Sequence, residues 1–167
     1  MNIRYYLGNE GKIQESYDFF INKEQLVEID PREELIEAHI KKAEHNLGVL
    51  KQLNKEYSDW KIIALYYCLY HSCLALLVRK GYISKNHTAT LIFLLKHYSQ
   101  ITQNEINLIE ELQIKDEDAK FYTELKKERH NANYSTDIFY DEEKIEEVRI
   151  KTIRFLNKVK EILKTRK

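Results

Sequence analysis

The sequence predicts an all-α fold, an up-and-down bundle of four to five helices, on three observations. Its 167 residues include only four glycines and one proline, too few for a sandwich or barrel, which turns every ~8–12 positions. Charged residues make up 32% of the chain, and Leu, Ile, Lys, Glu and Asn dominate, a mix that suits long charged helices. Apolar residues also recur at spacings of three and four over long uninterrupted segments. The length fits one domain with a core of its own.

Residues 1–30 show no clear period and are set apart as an N-terminal extension, with the bundle over 31–167. Asp30 and Pro31 mark a helix start as cap and first-turn proline, and Glu33 and Glu34 suit the positive end of a helix dipole. Ile36, Ile40, Ala43, Leu47 and Leu50 then form one stripe, so a helix is expected over about 31–54. A second runs from Ser58 or Asp59 as cap to about Arg79. Its interior, IIALYYCLYHSCLALLV, is apolar on nearly every side, so protein must surround it. Gly81 is placed to end it in the left-handed conformation. A third helix spans about 86–99, with Ala89, Leu91, Ile92, Leu94 and Leu95 inward. Residues 103–131 read as one helix broken near 114–116, or two short ones. The last helix, about 141–165, has the stripe Ile145, Val148, Thr152, Leu156, Val159 and Leu163. Acidic residues fill its start and basic residues its remainder. That order matches the helix dipole; a basic strip for RNA phosphates is the other reading.

The formal net charge is zero, so no global field draws the chain to nucleic acid or membrane, and any anion site must be local. Cys68 and Cys73 lie five apart in the most apolar segment, which is neither metal-knuckle nor redox-pair spacing; reduced core thiols are expected. The N-terminus lacks an apolar signal stretch, and no window holds ~18 uninterrupted apolar residues. A cytoplasmic protein with no membrane contact is the expectation. There is no zinc pattern, phosphate-cradling glycine loop or nucleophile elbow, so no metal and no cofactor is expected. His39 and His45 lie six apart, without ligand spacing, and His97 reads as a surface residue.

The stretch KKERHNANYS, residues 126–135, gathers cations, a histidine, asparagines and a tyrosine near a helix end. On a helix, Arg129 shares a face with Lys126 and Asn133, where its guanidinium fork suits phosphate oxygens. His130 is turned by about 100° from Arg129, so the two converge on one phosphate only across a symmetric dimer. The plainer reading pairs Arg129 and Lys126 with Glu124 or Glu128 and leaves the asparagines to end the helix. His71 is either a satisfied core histidine or a ligand-binding one. Lys85 and His87 stand at a helix start, where the choice lies between capping and anion binding. Tyr66, Tyr67 and Tyr70 cannot all point inward from one helix, and amphipathic rings suit an interface; a homodimer built on this helix is expected.

The segment over residues 64–95 resembles the HEPN domain, named for higher eukaryote and prokaryote nucleotide-binding proteins. Tyr66, Tyr67, His71, Leu76, Leu77, Gly81, Lys85 and His87 follow the order found in one prokaryotic branch, and Arg129, Ala132 and Tyr134 follow its Arg and Ala-x-Tyr pattern. The resemblance covers roughly residues 34–165. It implies a dimerising helical bundle from a family that ranges from metal-independent ribonucleases to inactive binding modules. It also implies a toxin–antitoxin or antiviral-defence role, often beside a nucleotidyltransferase partner that modifies a tyrosine, here Tyr134. Cleaving members carry an arginine followed a few residues on by a histidine. This chain has Tyr134, Ser135 and Thr136 in that place, and its histidine, His130, adjoins the arginine. Arg129, His130 and Tyr134 are thus the candidate catalytic set of an atypical or degenerate site. Lys126, Arg129, Asn133, His71, Lys85 and His87 are the candidates for holding RNA or a nucleotide. A phenol is a weak base at neutral pH but stacks on bases and donates to phosphate.

Overall fold

The computed structural model describes residues 6, 8–112 and 141–165. Its helices are α1 (Glu10–Asn22), α2 (Glu33–Val49), α3 (Ser58–Arg79), α4 (His87–His97), α5 (described over 103–112) and α6 (Glu142–Lys164). Two three-residue strands, β1 (Leu26–Glu28) and β2 (Tyr82–Ser84), form an antiparallel pair. The fold is all-α apart from this ladder.

α3 is the centre, as its sequence requires. Leu65, Tyr66, Leu69, Cys73, Leu76 and Leu77 on this one helix are completely buried, which at ~1.5–3 kcal/mol per large apolar side chain makes it the main source of burial energy. α2, α4 and α6 pack on it. By length and composition Lys55–Arg79 could cross a bilayer, but most of it is covered by the rest of the protein. Ile36 packs with Ala75 and Val78, and Ala43 packs with Cys68, so α2 and α3 run antiparallel. Leu156 of α6 joins Ala43 and Cys68, closing a three-helix junction through small residues. Both cysteines are free and buried, and burial pushes the Cys68 thiol up to about 12.

The helix boundaries show which local signals acted. α2 starts at Glu33 with Arg32 at its cap and no side-chain capping bond; Asp30 and Pro31 lie upstream of it. α2 ends at Val49, and two 3-10 turns, Leu50–Gln52 and Lys55–Tyr57, lead into α3. Tyr57 therefore takes the cap position, and Ser58 is already helical. At the start of α5 the Thr102 N–H and hydroxyl both donate to the Glu105 carboxylate, at 2.7 and 2.8 Å, which is the glutamate half of a capping box. Asp141 caps α6 by accepting from the Glu143 N–H. Segment 10–30 folds into α1 and β1, and its Tyr17, Phe20 and Leu26 enter the main core.

Gly81 turns the chain from α3 into β2. It has φ +76°, and a Cβ there would lie 2.8 Å from the Ile29 carbonyl oxygen, while its own carbonyl accepts from the Ile29 N–H. Left-handed geometry and backbone contact both exclude a side chain. Gly81→Ala should therefore lose about 1–3 kcal/mol, read as a lower urea midpoint with an unchanged slope.

A histidine and tyrosine strip along the central helix

The polar-tipped aromatic residues of α3 gather in one strip that reaches α2 on one side and α4 on the other. His39 of α2 and His71 of α3 meet with Nδ1 atoms 3.1 Å apart and ring centroids 5.3 Å apart. The rings of Tyr67 and Tyr70 lie 6.4 and 6.3 Å from His71. Tyr70 stacks on His87 at 4.3 Å with an interplanar angle of 16°, and Tyr66 stacks on both. The Tyr66 hydroxyl contacts His87 Nδ1.

Local sequence explains these positions. At about 100° per residue, Tyr66, Tyr70, Tyr67 and His71 follow one another around an arc of about 140°, so one side of α3 carries them all. His87 is the first residue of α4 and is not its cap: the Asn86 side chain caps by accepting from the Ala89 N–H at 3.0 Å. The His87 ring is thereby left to stack on the tyrosines. Lys85 precedes it with an exposed side chain, its backbone N–H bonded to the Gln25 carbonyl.

The His39–His71 contact requires at least one neutral ring, since a nitrogen must accept. Burial lowers the affinity of His39 for a proton. In His71, burial first, then His39 and Lys42, push the pKa down to about 4. Both imidazoles are neutral at pH 7 and can hydrogen-bond without attracting an anion by charge.

Among the binding candidates, the structure brings His71 and His87 onto this strip, and Lys85, two residues before His87, is exposed. Tyr66 is fully buried within the chain, so it cannot serve as a dimer contact; Tyr67 and Tyr70 are half-buried. Arg129, His130, Tyr134, Lys126 and Asn133 lie outside the described residues. His97 is not a surface residue but packs on Phe93 at 4.3 Å and on Tyr17 at 5.4 Å. His39 is the strip residue that sequence reasoning passed over. It lies three residues after Ile36 and four before Ala43, so the apolar stripe of α2 already placed it toward α3.

The basic residues of α6 are largely engaged with carboxylates. Arg149 holds Glu146, Lys151 and Lys144 hold Glu147, Lys160 reaches Glu44, and Lys158 donates to Glu105 at 2.8 Å. This supports the dipole-matched, ion-paired reading of α6. Burial alone would raise the Glu105 pKa, but hydrogen bonds from Lys158 and Thr102 outweigh it and hold the carboxyl below its usual range.

A family model for the HEPN domain matches residues 36–162, more than half of the chain. The chain belongs to the HEPN family. The match begins within α2 and ends within α6, so the strip falls inside it, while α1 and β1 precede it. A curated relative from Methanocaldococcus jannaschii, named "Putative toxin MJ0142", is 28% identical over 140 residues, which is 83% of this HEPN chain and 88% of the relative. No solved structure matches the chain.

The depressed His71 pKa gives a signed pH prediction. The unfolded imidazole takes up a proton near pH 6.5 and the folded one only near pH 4, so the unfolded state binds more protons between those values. This contribution to stability is complete above about pH 6.5 and declines as pH falls toward 4. Denaturation at pH 7 and pH 5 should show a smaller loss for His71→Asn than for the parent chain. An equal loss in both would show that His71 does not titrate as described.

Proposed function

We propose that this HEPN chain is a toxin-like protein that binds RNA or a nucleotide as a homodimer. A nucleotidyltransferase partner would neutralise it. The strip carries the reading: the half-buried Tyr70 and His87 stack on each other, His71 follows Tyr70 on the same helix, and Lys85, two residues before His87, is exposed. A core that needed only burial would fill these positions with leucine, since each polar tip demands a partner. Aromatic and imidazole rings stack on bases and hydrogen-bond their edges. The relative named as a toxin supports the cellular role, and the Arg129, Ala132 and Tyr134 pattern supports a phosphate contact from the sequence. The histidine that cleaving members place after the arginine is missing, which favours binding over cleavage, with Tyr134 in its place.

The test is a gel-shift series with single-stranded RNA over a range of salt, with and without EDTA. RNA should bind at low salt, weaken as salt rises, and lose about tenfold or more in Arg129→Ala. A bound base on the strip adds ~1–3 kcal/mol, lost in Tyr70→Leu. Failure to shift any RNA or stabilise with any nucleotide would remove the reading.

One observation favours the other possibility, a protein-interaction module partnered with a nucleotidyltransferase. Trp60 is 49% exposed and Tyr57 48% exposed at the start of α3, and exposed aromatics anchor interfaces. On that reading Trp60→Asp abolishes partner capture, while Arg129→Ala leaves it intact.

A further inference from the structure

We propose that His39 and His71 form a two-histidine site for a late first-row divalent ion such as Zn²⁺, Ni²⁺ or Cu²⁺, pinned across the α2–α3 seam. This does not rest on the RNA reading.

Spacing supports it first. Two nitrogens bound to one such ion at ~2.0–2.1 Å are about 2.9 Å apart at a right angle and about 3.4 Å apart at the tetrahedral angle. The two Nδ1 atoms are already 3.1 Å apart, within that range. In the hydrogen-bonded state the rings face along the line between the nitrogens. A modest turn of each about χ2, a broad torsion, directs both lone pairs to a point beside that line.

Rigidity supports it second. The rings stand on two long helices, not on loops. Their register is set on one side by Ile36 against Ala75 and Val78, and on the other by Ala43 against Cys68. Donors held by packing on helices spend little entropy when they close on an ion. Chemistry supports it third: one Nδ1 must accept in the 3.1 Å contact, so the pair already presents a neutral imidazole nitrogen. Imidazole suits Zn, Cu and Ni over Mg or Ca.

The surroundings define the limits. Lys42 on α2 is the charged group that bears on His71. It opposes a cation, but its side chain is exposed and long enough to swing outward. Tyr67 and Tyr70 flank His71 from α3. Among the described residues no third His, Cys, Asp or Glu joins the pair. The remaining coordination positions are left to water or to an oxygen-donor ligand, one protein ligand fewer than the three of a catalytic zinc site.

The experiment uses the full chain with any purification tag removed, stripped with chelator and desalted. It is titrated with Zn²⁺, Ni²⁺ and Cu²⁺ by calorimetry, with thermal unfolding in parallel. One ion per chain should bind and raise the Tm. His39→Asn and His71→Asn should each weaken binding by about tenfold or more, while His45→Asn on the same helix should not. The Cu²⁺ complex should show hyperfine coupling to two imidazole nitrogens, a signal independent of variant folding. Binding that survives in both Asn variants, a spectrum without paired imidazoles, or no uptake would each overturn the proposal.

Discussion

The rest of the fold follows from one constraint: α3 is apolar on nearly every side and must be covered. Cover comes from different partners at different faces. α2 and α6 meet it at Ala43, Cys68 and Leu156, and α4 meets it where Tyr66 and Tyr70 stack on His87. Small side chains at the first junction allow close backbone approach. Only because α2 lies that near can a histidine on each helix touch. The strip is thus a product of the packing that buries α3.

Much of this was legible from residue spacing. Among the described residues, the helices expected near 31–54, 58–79, 86–99 and 141–165, the left-handed Gly81 and the buried cysteines all follow from local pattern. Boundaries were less legible where two local signals compete. Asp30 and Pro31 form a good start signal, yet the Ile29 N–H is bonded to Gly81, which holds the chain extended past that point. The β1–β2 ladder is three residues a side, too short for any alternation to register. α1 was missed because its apolar positions pack chiefly on α4 and carry little periodic signal of their own.

The site was legible only as separate residues. His71 and His87 stood out in the sequence, but their partners are set by which helix lies alongside. His39 and His71 are 32 residues apart, and pairing them needs the antiparallel register of α2 and α3. Once Ile36 is matched to Ala75 and Ala43 to Cys68, Ser72 falls opposite His39 and His71 is its immediate neighbour. His97 looked exposed because its neighbours in sequence are polar on one side. Its burial comes from Tyr17 of α1, an element that spacing did not reveal.

The charge pattern then limits how the strip could work on a polyanion. His39 and His71 are neutral at pH 7, so they offer hydrogen bonds and ring faces but no net attraction. Lys144, Arg149, Lys151, Lys158 and Lys160 of α6 could supply charge only by leaving their carboxylates. Each such surface pair is worth only ~0–1 kcal/mol, yet the carboxylate left behind would repel the incoming phosphate. Attraction must therefore come from other cations: Arg154 and Lys164 are exposed on α6, Lys85 is exposed two residues before His87, and Lys126 and Arg129 follow later in sequence. A site divided in this way would read bases along α3 and hold phosphates with side chains from elsewhere in the chain. Its salt dependence and its stacking energy would then belong to different residues and respond separately to substitution.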